Sequence, residues 1–385
     1  MKIAQIVGAR PQFIKYFPLS KAIERFQENH KIKLQDILIY TGQHYDYEMS
    51  NIFFQDFGVR EPDYPLGVGS ATHGEQTGQI LQKAEEVLMK EKPDVLFVYG
   101  DTNSTLGGAL AAVKLHIPVA HIEAGLRSYN KFMPEEINRV LTDHSSSLLL
   151  CPTKNAVNNL RREGFEIIIN EGKLINNPVD FLPYNAALNT PVVCNVGDVM
   201  YDVLLSSVEI AGKKSYVLNE LNIKPKEYNV LTLHRAENTD NLERLQSLLD
   251  FVIETSSDKQ IIFPVHPRTR KVLQNLPPEV LKNINMIGPI GYFDMVWLVK
   301  NSFLVFTDSG GLQKEAYWLK VPCITLRDET EWIETVKSGW NVLYKNYIGQ
   351  HNLLDADTLL YGDGSAAEKI IYAVVNTKII RSDKI

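Results

Sequence analysis

An apolar run, Lys2 to Val7, ends at the stretch "GARPQFIK", which sets Arg10 and Lys15 just beyond a single glycine. Arginine offers a rigid fork of donors suited to phosphate or carboxylate. Pro11 suits the first turn of a helix, whose free N–H groups favour an anion. A dinucleotide-binding turn would instead carry three glycines, so that a pyrophosphate could rest on bare backbone. The same segment also reads as a solvated helix with surface charge. Three carboxylates follow successive elements further on: Asp101 in "GDTNST", Glu123 in "HIEAGLRS" and Glu135 in "MPEEINR". Asp101, at a strand-to-helix junction, also reads as a helix N-cap, and acid in a first turn, as at Glu135 and Glu136, is ordinary helix chemistry. A carboxylate at the end of an apolar strand, as at Glu123, is harder to accommodate, because burying it unpaired is costly. Carboxylates crowded at one crevice can hold different protonation states, which acid–base catalysis requires. Arg10, Lys15 and Arg127 are candidates to balance their charge.

The second half repeats the pattern with different chemistry. His234 and Arg235 follow one apolar run in "LTLHRAEN", His266 and Arg268 the next in "PVHPRTR", and Arg327 another in "TLRDETEW". The sharpest local signal is "FTDSGGLQKEA". A strand ends at Asp308, and Ser309, Gly310 and Gly311 open a helix whose small residues let an anion approach free N–H groups. Glu315, one turn in, is placed to accept hydrogen bonds from ribose hydroxyls. A capped helix behind a tight glycine turn is the plainer reading of these residues. "LGVGSATHG" and "AGKKS" lack the spacing of a phosphate loop. The three cysteines lie far apart, no C-x-x-C or H-x-x-x-H pair occurs, and the expectation is that no metal is bound.

These residues need elements to place them. The strand candidates of the first half are "KIAQIVG", "DILIYTG", "DVLFVYG", "PVAHIEAG" and "SLLLCPT", with helical patterns such as "HGEQTGQILQKAEEVLMKEK" and "TNSTLGGALAAVKLH" between them. Strands apolar throughout, each followed by a helix, indicate parallel sheets covered on both faces. "YNVLTLH", "QIIFPVH", "NINMIGP", "FLVFTDSG" and "PCITLRD" repeat the plan. A chain of 385 residues is long for one core. The expectation is α/β, with an N-terminal Rossmann-like domain over 1–190, a nucleotide-binding one over 191–365, and an apolar helix in 366–385 packing back on the first. Ligands of open α/β sheets bind beyond the carboxyl ends of the strands, so two such domains would face each other across a cleft. Hydrophobic content of 44% and charged content of 22% are ordinary for a globular protein, and a net charge of −6 argues against a nucleic-acid face. Spaced cysteines in apolar runs, no long apolar stretch and a strand at the N-terminus lead to the expectation of a cytoplasmic protein with no membrane partner.

In combination, "GARPQFIK", "TGQHYD", "GDTNST", "HIEAGLRS", "PEEINR", "LHRAEN", "TDSGGLQKEA" and "LRDETE" resemble the non-hydrolysing UDP-N-acetylglucosamine 2-epimerases over nearly the whole chain. The resemblance implies the glycosyltransferase-B architecture, no nicotinamide or other cofactor, a UDP-sugar substrate and a homodimer. It implies that Arg10 and Lys15 hold the nucleotide-sugar end and that Asp101, Glu123 and Glu135 are the acid/base carboxylates. It further implies that His234 contacts the diphosphate, Ser309, Gly310 and Gly311 cradle it, Glu315 takes the ribose, and Arg327 lines the site. Three departures stand out: "DETEWIET" where many members continue "RDTTER" with proline and glutamate, an expanded 166–192 segment, and no arginine in "GVGSATHGEQTG". The first and third resemble a sub-branch acting on UDP-2,3-diacetamido-2,3-dideoxy-glucuronate. Gln43 and His44, which line an activator pocket in some members, are present.

Inverting carbon 2 of an acetamido sugar is difficult because its proton is not next to a carbonyl. Elimination of UDP to a glycal, followed by re-addition, needs carboxyl groups and cations near the diphosphate, and the implied residues supply both. The expected role is supply of cell-surface polysaccharide precursors. A glycosyltransferase of the same architecture or a hydrolysing epimerase are the rival readings.

Overall fold

The structure is a computed structural model and describes residues 1–42, 60–176, 185–186, 189–265, 267–353 and 358–379. Gln43, His44 and His266 lie outside the described residues. The chain forms two compact units, 1–203 with 359–385, and 204–358.

The first unit holds strands β1 (Lys2–Val7), β2 (Gln35–Tyr40), β3 (Tyr64–Pro65), β4 (Val95–Tyr99), β5 (Val119–Ile122), β6 (Leu148–Cys151), β7 (Ile167–Ile168), β8 (Asn185–Ala186) and β9 (Val192–Asn195). All but β8 join one sheet in the order β3-β2-β1-β4-β5-β6-β9-β7, every pair parallel. Alternation along β1 explains why both faces are covered. Ile3 and Val7 face a core shared with helix Arg10–His30, while Ala4 and Ile6 face one shared with helices His73–Glu91 and Asn103–Lys114. Helix Ala366–Asn376 packs on helix Arg10–His30, with the Tyr372 ring edge-on to Phe26 at 5.0 Å. Its first amides, Ala366 and Ala367, donate to the buried Asp202 carboxyl at 3.1 and 2.7 Å. Burial pushes that carboxyl up to about 7, against the pull of those two amides.

The second unit holds β10 (Tyr228–Thr232), β11 (Gln260–Pro264), β12 (Ile284–Ile287), β13 (Leu304–Thr307), β14 (Cys323–Thr325) and β15 (Asn341–Leu343), ordered β12-β11-β10-β13-β14-β15 and all parallel. A short last strand, β16 (Lys378–Ile379), pairs with β8. Two doubly wound, Rossmann-like units in one chain make up the expected α/β glycosyltransferase-B fold.

Strand order reverses between β1 and β4 in the first sheet and between β10 and β13 in the second. Such switch points are where doubly wound sheets bind ligands, beyond the carboxyl ends. The residues there are Gly8 to Lys15 with Gly100–Asp101, and His234–Arg235 with Asp308 to Gly311. The expanded segment 166–192 includes β7 and a 3-10 turn at Ile169–Gly172. Elements of two to four residues carry no periodicity to read.

Candidate active site

The turn after β1 is closed by a side chain. Gln12, on the first turn of helix Arg10–His30, accepts from the amides of Gly8 and Ala9 at 2.7 and 3.0 Å. Its amide group donates to the Tyr99 carbonyl at 2.7 Å and to the Thr102 and Thr105 hydroxyls at 3.0 Å each. The Gly8 and Ala9 amides, which a glycine-rich turn would offer a pyrophosphate, are therefore engaged by Gln12. Arg10 opens this helix, and its side chain lies outside the described set. Lys15 is buried and ion-paired with Glu123.

Glu123 follows β5 with φ +71°. A non-glycine residue in the left-handed region is strained and persists where surroundings impose it, often at functional sites. Next to it, Gly100 turns at φ +61°, and a Cβ there would stand 3.3 Å from Glu123 Oε2 and 3.4 Å from Lys15 Nζ. This turn delivers Asp101, whose carboxylate pairs with Arg139. The following helix is capped by the Thr102 hydroxyl, so the Asp101 side chain is not the N-cap. Burial pushes the Asp101 carboxyl above its ordinary range; Arg139 pulls it down, and the Glu123 carboxylate pushes it up again.

Helix Pro134–Ser145 completes this cluster. Arg139 also donates to Glu136 at 2.9 Å, and Asn138 donates to the Asp101 main-chain carbonyl at 2.9 Å. The two first-turn acids part company. Glu136 is buried and accepts from the amides of Ser128 and Tyr129 at 2.9 Å each, holding their loop. Glu135 is exposed. Arg127 is committed elsewhere, with a two-pronged grip on Glu163 at 2.7 Å per bond and a 2.6 Å bond to Asp143.

In the second unit, Asp308 is the fastening. Fully buried, it accepts from the amides of His234 and Arg235 at 3.0 Å each and from Asn238 at 3.2 Å. His234 Nδ1 lies 3.0 Å from it, although 52% of the His234 side chain is exposed. Burial would raise the Asp308 carboxyl, but the His234 bond and charge, with the backbone amides, hold it below the usual range. Ser309 caps helix Gly310–Trp318, accepting from Leu312 at 3.5 Å. A Cβ on Gly310 would meet Glu331 Oε1 at 2.7 Å and Trp332 Nε1 at 3.2 Å, so a larger residue there would have to displace the Glu331 carboxylate. Gly311, beside it, has no such crowding. Glu315 is buried and accepts from the Tyr292 hydroxyl at 3.1 Å. Arg327 bonds Glu331 at 2.8 Å, while its buried Nε makes no hydrogen bond among the described residues, with Glu237 at 3.9 Å.

The structure thus gathers Lys15, Asp101 and Glu123 at neighbouring strand ends, and His234 and Ser309 around Asp308. Arg327 and Gly310 meet at Glu331. Glu135 stands on the first turn of the helix that sends Arg139 to Asp101. Gln12, Asn138 and the fastening role of Asp308 escaped the sequence reading. Asp308 had a signal, an aspartate directly before the glycine turn. Gln12 had none, because a buried glutamine looks like any polar helix residue. Among the described residues no group of three or more His, Cys, Asp or Glu could hold a metal, and no helix is long and apolar enough to cross a membrane.

Residues 25–375 match the family profile described as UDP-N-acetylglucosamine 2-epimerase. The chain is 48% identical to a UDP-N-acetylglucosamine 2-epimerase homolog of Methanococcus maripaludis, covering 98% of this chain and 100% of that one. It is 43% identical to the UDP-2,3-diacetamido-2,3-dideoxy-D-glucuronate 2-epimerase of Pseudomonas aeruginosa, over 96% of this chain and 98% of the other. The crystal structure of Methanocaldococcus jannaschii UDP-GlcNAc 2-epimerase in complex with UDP-GlcNAc and UDP superposes with a TM-score of 0.77 at 42% identity, covering 97% of this chain and 99% of that one. Matched along nearly its whole length at these identities, the chain belongs to the UDP-N-acetylglucosamine 2-epimerase family of isomerases.

Proposed function

We propose that the protein inverts carbon 2 of UDP-N-acetylglucosamine to give UDP-N-acetylmannosamine, without hydrolysis. The observation that carries the reading is the placement of Asp101 and Glu123 side by side at adjoining strand ends, with Arg139 and Lys15 as counter-ions. One carboxylate takes the proton from carbon 2. The electrons of that C–H bond form a double bond to carbon 1, and the carbon 1–oxygen pair leaves with UDP. Re-addition of UDP to carbon 1, with a proton delivered to carbon 2 on the opposite face, restores the atom balance. A carboxyl raised by burial, as at Asp101, keeps its proton nearer neutral pH than an exposed one, which suits such exchange. Glu135 is assigned as the third carboxylate, supported by its place on the helix that carries Arg139.

The nucleotide end is assigned to His234, Ser309, Gly310, Gly311, Glu315 and Arg327, with Arg10 and Lys15 on the leaving diphosphate. Cations there stabilise charge as it develops on departure. A homodimer, a cytoplasmic setting and a supply role for cell-surface polysaccharide belong to the same proposal and rest on the family resemblance; sedimentation of the purified protein tests the first.

The test is incubation in heavy water with UDP-N-acetylglucosamine and no acceptor, followed by proton NMR. A new UDP-sugar carrying deuterium at carbon 2, with carbon 3 still protonated, is the expected result. Product without deuterium at carbon 2 overturns elimination, free sugar with UDP indicates hydrolysis, and no change with this sugar or with the one in the parallel incubation below indicates a transferase. The "DETEWIET" sequence and the Pseudomonas relative favour a second reading, the same chemistry on UDP-2,3-diacetamido-2,3-dideoxy-glucuronate. A parallel incubation with that sugar decides between them.

A further inference from the structure

A chain of buried polar groups runs behind the Asp101 turn. His121, in β5, has no exposed surface. Its Nε2 lies 2.7 Å from the carbonyl oxygen of Gly100, the residue before Asp101. Its Nδ1 lies 2.7 Å from Asp143, which is equally buried. Asp143 also accepts from the Gly125 amide at 3.1 Å and from Arg127 at 2.6 Å, and Arg127 grips Glu163. His144 closes the series 3.2 Å from Glu163, on an exposed side chain. A carbonyl oxygen can only accept, so Nε2 is a donor. Burial would raise the Asp143 carboxyl, but His121 and Arg127 hold it below the usual range, so it too is an acceptor. His121 is thus clamped between the Gly100 carbonyl and the Asp143 carboxylate.

The Gly100 turn is held on two sides. Its Cα faces the Lys15–Glu123 pair, while its carbonyl is held by His121 from behind. Asp101 is reached through this one peptide. A small rotation of that peptide would swing its carboxyl relative to Glu123, and misplacement of about 1 Å can cost a reaction about 10²-fold. We infer that His121 is a positioning residue for Asp101: its Nε2–H fixes the Gly100 carbonyl, and Asp143 with Arg127 fixes the ring. This inference rests on the assignment of Asp101 to the proton-transfer step.

Two amide substitutions separate positioning from mere filling. In His121→Gln the side-chain amide reaches roughly where Nε2 stands and can still donate to Gly100. In His121→Asn it reaches roughly where Nδ1 stands and can donate to Asp143 only. Both keep a buried polar group beside Asp143, so both face a similar folding burden, checked by thermal unfolding. The measurements are kcat and KM for the UDP-sugar that the enzyme converts, with UDP affinity by calorimetry. Positioning predicts that His121→Asn loses kcat about 10- to 100-fold with KM and UDP affinity within about threefold of wild type. It predicts that His121→Gln recovers much of that loss. Equal kcat values in the two variants, or a better Asn than Gln variant, overturn the inference, because either pattern marks a role toward Asp143 alone. Asp101→Asn is assayed beside them. If it turns over normally, the assignment of Asp101 falls and this inference with it. If Asp101→Asn is impaired while the two His121 variants match each other, only the role of His121 falls.

Discussion

Among the described residues, each unit has a fully buried aspartate held by a histidine, and the two pairs are used differently. In the first unit His121 meets Asp143 at 2.7 Å with both side chains fully buried. In the second His234 meets Asp308 at 3.0 Å with the aspartate buried and the histidine half exposed. Both aspartates lie below the ordinary carboxylate range for the same reason, a histidine bond and charge overriding burial. What differs is the free end of the ring. His121 spends it on a backbone carbonyl inside the protein, whereas His234 can offer it to a solute. Exposure, rather than the pair itself, separates a histidine that holds the fold from one that can bind a ligand.

The largest expected effect breaks the comparison directly. Asp143→Asn leaves Arg127 and His121 buried beside a neutral group, and stripping one partner from such a network costs about 3–5 kcal/mol. Asp308→Asn should cost less, about 1–3 kcal/mol, because the exposed His234 can turn to water and an amide oxygen still accepts from the backbone. Urea unfolding of both variants measures the difference, and equal losses would show that exposure of the histidine is irrelevant. The pH dependence follows. Because Asp143 is held below its unfolded value, its contribution is complete above about pH 4 and is lost as pH falls through the lower folded value. Asp143→Asn should therefore flatten the acid limb of the stability curve, and a steeper limb would contradict this.

The next effect contrasts the strand ends. In the first unit they carry carboxylates matched with cations; in the second they carry backbone amides, a capping serine and glycines. Lesions in the first should strike turnover and lesions in the second affinity. Asp101→Asn and Glu123→Gln should each lower kcat by about 10²-fold or more, the usual contribution of a positioned acid or base. Their UDP affinities should stay near wild type by calorimetry. A variant with normal kcat would remove that carboxylate from the reaction.

The sequence made this contrast legible only in part. The strand runs named from the sequence coincide with strands of three to six residues that are mostly buried, because a parallel sheet covered on both faces leaves an unbroken apolar signature. Short strands such as β3, β7 and β15 were silent, since two or three residues show no alternation. Within the site, Asp101, Glu123 and Ser309 could be picked out because each follows an apolar run. Their counter-ions could not be paired, because Arg139 and Arg127 look alike in sequence while one meets Asp101 and the other is locked to Asp143 and Glu163. The strained φ of Glu123 and the bond from His121 to Gly100 depend on how neighbouring strands register, which no local pattern encodes.

A smaller effect sharpens the second unit. Glu315 is buried and already takes a bond from Tyr292. Glu315→Ala should weaken UDP binding by about 1–3 kcal/mol, since ribose hydroxyls and the tyrosine lose a shared acceptor in a desolvated place. kcat at saturating substrate should fall far less than in Asp101→Asn. Unchanged calorimetric affinity would remove Glu315 from the nucleotide site.

The smallest effect belongs to His234. Its ring is half exposed, so any bond it gives a diphosphate is shared with water and screened by salt. His234→Ala should weaken UDP binding by about 1 kcal/mol or less at physiological ionic strength. The deficit should shrink further in high salt, because screening weakens the wild-type contact and leaves the variant untouched. The backbone amides of residues 234 and 235 still bond Asp308 in the variant, so the strand ends should stay in place and stability should change little. Calorimetry at low and high salt reads all of this at once. A salt-independent loss as large as that of Glu315→Ala would mean that His234 is desolvated when nucleotide binds. The contrast with His121 would then lie in when each ring is buried, rather than in whether it is.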